Sequence, residues 1–329
     1  MATTASGIIK YWVYNMFDVV ITTYKRPDLA FAAVSSCLMQ GDLLDNVILV
    51  DDGSDDDTVQ KMRKVEDKRL IILERALNGG IAAARRDGYA LSEAEWTISL
   101  DSDHELLPNA LICLNQLIRN QQCSVDILGG RYIWDTGEVT PQVVPLGIVD
   151  YKQRICLSGR PNNIGSDYVC VISRKLRKAV LWEPLRSSLP DMLFQLDIAN
   201  IGNAVFTNEI IALEKTVGDH SWTRGSAEAR WNRRCQDAGD GLMCIELIIT
   251  RHGLALQKYD KMQAYQLFIR GAFYAILSNC RFESWCYLIK AIRVKIISSD
   301  CLMLLLCSII PVRLIKFVYI NKDHFIKCK

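Results

Sequence analysis

The sequence predicts an α/β fold in which a mostly parallel, doubly wound sheet lies between helices. One observation is the composition: half of the 329 residues are apolar and only 23% are charged, which is typical of a folded chain with a sizeable core. The other is the alternation of short apolar runs with helical stretches in the first part of the chain, where turn residues close the runs. The composition excludes a disordered chain.

Four apolar runs are short and rich in β-branched residues, as buried parallel strands are. They span residues 19–24, 47–50, 70–73 and 96–100. The segments between them have the apolar spacing of helices, which we expect just after Pro27, over 58–65 and over 81–92. A further helix is expected to begin at once after the last strand, within residues 105–111.

The alternation weakens beyond about residue 120, and this indicates two different parts of the chain. Residues 1–227 are expected to form one sheet domain, with a regular half over 17–119. The other half, over 120–227, is expected to be mixed in strand direction and rich in loops. Residues 228–329 are expected to be a helical region.

Charge is divided unevenly along the chain, although the net charge is only +2. Residues 251–329 hold 13 Lys and Arg against 4 Asp and Glu, so they carry +9. The first 250 residues hold 26 Lys and Arg against 33 Asp and Glu, so they carry −7.

In the basic tail, an apolar run over 301–312 is too short to cross a bilayer. With the amphipathic stretch over 285–297 it favours contact with a membrane surface. The alternative is a helical subdomain that packs on the sheet domain.

Cysteine spacing and the first residues bear on the compartment. None of the 12 cysteines forms a Cys-x-x-Cys pair, and the first fifteen residues lack an uninterrupted apolar run of the secretory type. We therefore expect free thiols and a cytoplasmic protein, peripheral on the inner face of the cell membrane if the tail binds lipid.

Acidic side chains follow two of the predicted strands, at the point where each strand ends. Asp51 and Asp52 follow the second strand, and Asp101 and Asp103 follow the fourth. Because the carboxyl ends of parallel strands meet at one edge of a sheet, these side chains are expected to converge, with Tyr24 from the first strand. Carboxylates that lie this close repel one another unless a cation binds between them. Mg²⁺ or Mn²⁺ with a phosphate-bearing ligand suits such a site.

Four sequence blocks give this pattern a family resemblance. They are VVITTYKRP at 19–27, VDDGSDDDT at 50–58, NGGIAAAR at 78–85 and LDSDHELLP at 100–108. In this order they resemble family 2 glycosyltransferases of the GT-A fold, over about a third of the chain. The resemblance implies a Rossmann-like sheet domain with a nucleotide-binding half at 17–119 and an acceptor half at 120–227. It also implies an inverting transfer from a nucleotide-sugar donor, expected to be a UDP-sugar, with a divalent cation.

The resemblance assigns donor-binding roles to residues of these blocks. Thr22 and Tyr24 would line the base pocket, and Asp52, with Asp51 beside it, would bind the uracil or ribose. The backbone at Asn78 and Gly80 would pass close to the donor. Arg85 would face the donor phosphates or the acids of the pocket. The ribose, diphosphate and metal would be held by Asp101, Ser102 and Asp103.

A general base is also implied, because the acceptor hydroxyl must lose a proton as it attacks the sugar. Asp191 is the best match, since a helix starts there, although Pro190 stands where relatives carry a companion acid. Asp167 and Glu183 are the reserves. An ordinary first-turn acid is the alternative interpretation of Asp191.

Two histidines are candidates for the same site. His104 replaces a third acid of the family motif, so it could ligate the metal or contact the donor sugar, and a loop histidine that points to solvent is the competing interpretation. His220 is a candidate metal or phosphate contact in a loop that also holds Arg224 as a candidate phosphate clamp. A polar loop without a role would explain both equally well.

The expected partners are the nucleotide-sugar donor, a glycan or polyprenyl-diphosphate-linked acceptor of the surface-polysaccharide type, and a peripheral membrane contact, without nucleic acid. A nucleotidyltransferase is disfavoured, because no Gly-rich, basic phosphate loop follows the first strand. The remaining alternative is a non-catalytic sugar-nucleotide-binding or membrane-scaffold protein that keeps the fold.

Overall fold

A nine-stranded sheet forms the centre of the structure, a computed structural model that describes residues 16–121, 123–158, 167–187, 189–216, 226–294 and 299–316. The strands are β1 (Phe17–Thr23), β2 (Leu44–Asp51), β3 (Leu70–Glu74), β4 (Trp96–Asp101), β5 (His104–Leu106), β6 (Ile127–Trp134), β7 (Val139–Thr140), β8 (Val169–Ser173) and β9 (Ala204–Glu214). They lie in the order β3-β2-β1-β4-β8-β6-β9-β5, and β7 pairs with β6.

Helices cover both faces of the sheet and form the C-terminal region. They are α1 (Pro27–Leu38), α2 (Thr58–Met62), α3 (Ile81–Leu91), α4 (Ala110–Arg119), α5 (Tyr151–Ser158), α6 (Arg174–Ala179), α7 (Pro190–Ile201), α8 (Ala227–Gln236), α9 (Ala238–Tyr259), α10 (Lys261–Leu277), α11 (Arg281–Val294) and α12 (Ser299–Cys307). A short 3₁₀ helix, Gly41–Leu43, precedes β2.

Strand direction decides which residues meet at the site. β1 pairs in parallel with β2 and β4, β2 with β3, and β6 with β9. β8 runs antiparallel to both β4 and β6, so β4 and β6 point the same way. The carboxyl ends of β1, β2, β4, β6 and β9 therefore open on one edge. The predicted α/β class with a mixed, mostly parallel sheet and a helical C-terminal extension is confirmed.

The expected helix directly after β4 is wrong. The chain instead forms β5, which pairs antiparallel with β9 and sets His104 opposite Glu214. Leu106 is buried, and its N–H donates to Ser36 Oγ at 2.9 Å. Pro108 disfavours helical geometry in the residue before it, so α4 begins only at Ala110.

Residues of β1 alternate between two cores, as the period of a strand requires. Val19 and Ile21 pack with α1 and α4 on one face of the sheet. Val20 packs with α3, α6 and α7 on the other face. Both faces of β1 are thus apolar, which explains why its sequence is a continuous β-branched run.

The C-terminal helices share a third core with α7. Leu189 and Leu193 of this core pack with residues of α9, α10 and α11. The apolar side chains of the amphipathic stretch predicted over 285–297 differ in their burial on α11. Leu288 is fully buried, whereas Trp285 and Ile289 are 41% and 48% exposed. Within the described residues, no helix is both long and apolar enough to cross a membrane.

Asp18 links the amino edge of the sheet to two loops. Its fully buried carboxylate accepts hydrogen bonds from the backbone N–H groups of Asn46, Glu93 and Ala94 at 2.8–3.0 Å, and from the Asn46 side chain and the Ser92 hydroxyl. One buried carboxylate therefore satisfies five hydrogen-bond donors.

We predict that Asp18→Ala lowers the free energy of unfolding by about 2–4 kcal/mol, because it leaves buried donors unpaired. Urea denaturation monitored by circular dichroism measures the change. Asp28→Ala is the control, since the Asp28 side chain is 91% exposed and forms its ion pair among the described residues with Lys61 at the surface. This substitution should lower the free energy of unfolding by less than about 1 kcal/mol. Equal stability of the two variants would contradict the structural role of Asp18.

Candidate functional site

A cleft of about 1190 Å³ runs along the edge where the parallel strands end. One wall is built from the ends of β1, β4, β6 and β9 together with α3. The opposite wall consists of α7 and of residues from α8 and α10. Of the predicted site residues, the cleft lining includes Thr22, Tyr24, Asp52, Asn78, Gly80, Arg85, Asp101, Ser102, Asp103 and Asp191.

Arg85 joins the two walls of the cleft. Its Nη2 donates to Asp101 Oδ1 at 2.6 Å, and its Nη1 donates to Asp191 Oδ1. Asp101 and Asp191, which are distant in sequence, therefore lie on either side of one guanidinium. Burial by itself favours the neutral form of Asp101, but the charges of Arg85, His104 and Arg26 outweigh it and hold the Asp101 pKa below its ordinary value.

An aromatic cluster fixes the position of Arg85. Its guanidinium lies over the Trp182 ring, with 4.9 Å between its central carbon and the ring centroid. Trp182 stacks on Phe194 at 4.0 Å, and Tyr89 meets both rings edge-on. Because Phe194 lies one turn after Asp191 on α7, the stack also sets the rotation of the helix that presents Asp191.

A possible metal site lies at the end of β4. Asp101, Asp103 and His104 each offer a ligand atom, and these atoms lie within 4.8 Å of one another. Two carboxylates and one imidazole fit Mn²⁺, since carboxylates suit Mg²⁺ and Mn²⁺ and an imidazole favours the transition metal. Asp103 also accepts a hydrogen bond from Arg26 Nη1 at 3.0 Å.

His104 does not point to solvent, so that interpretation is wrong. Its side chain is 14% exposed, with Nδ1 3.2 Å from Asp103 Oδ1 and Nε2 3.5 Å from Glu214 Oε2. Tyr132 of β6 meets the imidazole edge-on at 5.0 Å. Burial opposes the charged form, but the neighbouring carboxylates outweigh it and raise the His104 pKa. Burial is also the main cause that raises the pKa of Glu214 to about 7.

The end of the cleft that is predicted to hold the nucleoside is formed by β1 and the loop before α3. Asp52 is buried and accepts hydrogen bonds from the N–H groups of Gly79 and Gly80 at 2.9 and 2.8 Å. Gly80 has a φ of +89°, which favours glycine. Tyr24 is 41% exposed, and Lys25 Nζ lies over its ring, 5.3 Å from the centroid. Thr22 Oγ1 is buried and has no hydrogen-bond partner among the described residues.

Other predicted residues differ in their positions. Asp51 is fully buried and lies outside the cleft lining, because its carboxylate accepts from the N–H of Ser54 at 2.8 Å and from its hydroxyl at 2.5 Å. Of the reserve bases, Asp167 lines the cleft, whereas Glu183 pairs with Arg251 and does not. His220 and Arg224 lie outside the described residues.

The sequence of the chain is similar to those of known proteins. Residues 18–179 match the family model "Glycosyl transferase family 2". Residues 18–179 are a glycosyl transferase family 2 domain. The resemblance of the four sequence blocks is thereby confirmed.

Curated relatives match this chain over limited stretches. A UDP-Glc:alpha-D-GlcNAc-diphosphoundecaprenol beta-1,3-glucosyltransferase of Escherichia coli is 31% identical over 89 residues, which are 27% of the chain and 36% of the relative. The glycosyltransferase GlyG of Streptococcus pneumoniae is 26% identical over 126 residues, which are 38% and 42% of the two lengths. The chain thus spans less than half of the length of these relatives.

Solved structures share the fold over most of the chain. Staphylococcus aureus TarS 1–349 in complex with UDP-GlcNAc has a TM-score of 0.54 at 18% identity, over 83% of this chain and 89% of TarS. The mannosyltransferase PcManGT of Pyrobaculum calidifontis, in complex with GDP-Man and Mn²⁺, has a TM-score of 0.54 at 16% identity, over 89% and 79%. At these identities the likeness shows the GT-A fold.

Sequence reasoning missed several cleft residues. Trp182, Tyr132 and Glu214 lie outside the four matched blocks, and β6 and β9 are too irregular in sequence to show where they end. The one available signal is the apolar run 210–213, which Glu214 follows directly. Arg26 stands inside a matched block, and only the fold brings it to Asp103.

The pKa of Glu214 predicts a pH dependence of stability. Because its folded-state pKa of about 7 lies above the ordinary value of 4.5, its contribution to stability is present below about pH 4.5 and is lost as the pH rises through 7. Glu214→Gln should remove this loss of stability. When the pH is raised from 5 to 7.5, the free energy of unfolding of the variant should therefore increase by about 1–3 kcal/mol relative to that of the wild type. Urea denaturation at both pH values, with EDTA present, measures the gain.

Glu209→Gln is the matched control, because Glu209 is an exposed glutamate on the same strand. Its difference from the wild type should not change with pH. An equally flat difference for Glu214→Gln would contradict the raised pKa.

Proposed function

We propose that the protein is an inverting, metal-dependent glycosyltransferase, which transfers a sugar from a nucleotide-sugar donor to a hydroxyl of a glycan or lipid-linked acceptor. The observation that carries the proposal is the single guanidinium of Arg85 between Asp101 and Asp191. It places a donor-side acid and a candidate base in one cleft, within the span of one side chain. The relatives named as glycosyltransferases support the reaction class.

The donor would bind at the wall built by β1 and β4. Tyr24 would stack on the base, and the Asp52 carboxylate would accept hydrogen bonds from the nucleoside. The Thr22 hydroxyl would donate to or accept from the nucleoside, and Ser102 would lie between the two metal acids. Asp101, Asp103 and His104 would hold a divalent cation, which supplies charge neutralisation for the nucleoside diphosphate that leaves. A UDP-sugar is the proposed donor, because the Escherichia coli relative is named for UDP-Glc. His220 stays a further candidate ligand.

Arg85 would exchange partners when the donor binds. In the structure it neutralises both Asp101 and Asp191, and its Nε is buried without a hydrogen-bond partner among the described residues. A donor diphosphate offers a stronger anion, because guanidinium and phosphate form charge-assisted, bidentate hydrogen bonds. Turning toward it would free Asp191 to take the proton of the acceptor hydroxyl. That oxygen would then attack the anomeric carbon from the face opposite the leaving diphosphate, which inverts the configuration.

The non-catalytic alternative is less well supported. A protein that had lost the chemistry would have no need of a carboxylate opposite the donor acids, yet Asp191 lies there on a helix held by stacked rings. Pro190 in place of a companion acid is explained by its position as the first residue of α7, where proline suits a helix start.

We predict that Asp191→Asn lowers turnover by about 10²–10⁴-fold while UDP affinity, measured by calorimetry with Mn²⁺, changes less than about twofold. Turnover is measured as donor hydrolysis, with the nucleotide sugar that a panel of UDP- and GDP-sugars identifies as the donor. Asn keeps the shape of Asp191 but cannot take a proton, so binding and chemistry separate.

Asp103→Asn serves as the complementary variant. It should weaken UDP binding in Mn²⁺ toward the level seen with EDTA, because it removes a metal ligand. Full turnover in Asp191→Asn would remove Asp191 as the base, and UDP binding that is insensitive to EDTA in the wild type would remove the metal. A failure of every nucleotide to bind would refute the transferase itself.

We also propose that the C-terminal helices touch an anionic membrane surface, through an apolar patch that we call the tail patch. It consists of the exposed residues Phe282, Trp285, Ile289, Ile292, Leu302, Met303 and Leu306. Exposed cations, Lys290 and Arg293, alternate with it on α11. Apolar side chains bordered by cations suit the boundary between acyl chains and anionic headgroups.

We predict that the double substitution Trp285→Ser and Ile289→Ser weakens binding to phosphatidylglycerol-containing vesicles by about tenfold or more, since two large apolar side chains no longer enter the lipid. Vesicle sedimentation measures the binding. Leu254→Ser is the control, because Leu254 is 88% exposed on α9, outside the tail patch. Unchanged sedimentation of the double variant, or a wild type that stays in solution, would contradict the proposal.

A further inference from the structure

The wall of the cleft opposite the donor residues has a chemistry of its own. It is formed by α8 and α10, which place Arg233, Gln236, Gln263, Gln266 and Arg270 on the cleft. None of them belongs to the sequence blocks that carry the family resemblance. From this wall we infer a second anion site, which binds the diphosphate group of a lipid-linked acceptor. The inference rests on the proposed transferase function and adds the place where its acceptor is held.

The size of the cleft leaves room for a second ligand. Its volume of about 1190 Å³ exceeds the roughly 300–1,000 Å³ that is typical of small-molecule sites. None of the residues assigned to the donor lies on α8 or α10. A nucleotide sugar held by those residues would leave the side chains of α8 and α10 for a second ligand.

The side chains of the wall suit a diphosphate. Guanidinium groups bind phosphate oxygens through paired, charge-assisted hydrogen bonds, and amide side chains add neutral donors. Arg270 is exposed and makes no ion pair with any described residue. Next to α8, Asp237 is the acid of the cleft lining and Arg186 faces it at 3.6 Å, whereas Asp191 of α7 is paired with Arg85. The wall is therefore positive toward the cleft.

The position of the wall favours the acceptor over the donor as the source of this diphosphate. α7, which carries Asp191, shares one apolar core with α9 and α10, to which its Leu193 belongs. A group held by Arg270 thus lies on the side of the candidate base, whereas the donor diphosphate is assigned to Arg85 and the acids of β4. A sugar attached to the held diphosphate could present its hydroxyl to Asp191.

The same region leads to the proposed lipid contact. α10 packs against α11 and α12, which carry the tail patch. A lipid chain joined to a diphosphate on α10 could therefore continue toward the membrane along one helical unit. The Escherichia coli relative is named for an acceptor of this chemistry, a sugar on diphosphoundecaprenol.

Binding of farnesyl diphosphate in the presence of saturating UDP and Mn²⁺ tests the inference. UDP fills the donor site, so any farnesyl diphosphate that still binds occupies a second site. Arg270→Gln and Arg233→Gln should each weaken this binding by about tenfold or more, because each removes a charged hydrogen-bond donor. Their affinity for UDP should change less than about twofold. Arg234→Gln is the control, since Arg234 lies on the same helix as Arg233 but not in the cleft lining.

Two further ligands distinguish the sources of binding. Farnesol, which lacks the diphosphate, should bind at least tenfold more weakly than farnesyl diphosphate. Inorganic pyrophosphate should compete with farnesyl diphosphate in the UDP-loaded protein.

The inference is overturned if UDP displaces farnesyl diphosphate completely, if farnesol binds equally well, or if Arg270→Gln behaves as Arg234→Gln does. If any of these three results is obtained while the protein still binds UDP, the transferase proposal is not contradicted. A protein that does not bind UDP overturns both.

Discussion

The ion-pair bridge formed by Arg85 is the interaction on which the cleft depends. A guanidinium that is this deeply buried loses its hydration, and only paired carboxylates can compensate for the loss. Asp101 and Asp191 supply that charge from the two sides of the cleft, and Trp182 supplies a ring face. One cation therefore sets the distance between β4 and α7.

The helix that carries Asp191 is held from its other side as well. Asp197, farther along α7, pairs with Arg251 Nη1 at 2.6 Å and lies 2.8 Å from His252 Nε2. The buried His252 ring in turn lies 2.7 Å from the Tyr151 hydroxyl. This network fixes α7 to α5 and α9, so the helix cannot shift freely when Arg85 changes partners. A donor-induced change is then confined to side chains at the cleft.

Much of the regular half of the fold could be predicted from the sequence, because each strand from β1 to β4 is a continuous apolar run between turn residues. The short strand that follows β4 could not be predicted. His104–Leu106 forms a strand because it pairs with β9, which lies about 100 residues later in the sequence. Asp51 shows the same limit within the site. Its neighbour Asp52 reaches the cleft, but one residue along a strand reverses the side-chain direction, and Asp51 turns to Ser54.

The uneven charge of the chain takes on a different meaning once the cleft is seen. The acids of β4 do not form an uncompensated negative pocket, because Arg26, Arg85 and His104 from the same acidic part of the chain face them. In the proposed reaction, Arg26 and Arg85 would pass to the donor diphosphate while a metal takes Asp101, Asp103 and His104. α8 and α10 bring Arg233 and Arg270 to the cleft lining, with Asp237 next to α8 as the neighbouring acid among the described residues. The two walls are therefore suited to different anions: one needs a metal before it accepts a diphosphate, and the other does not.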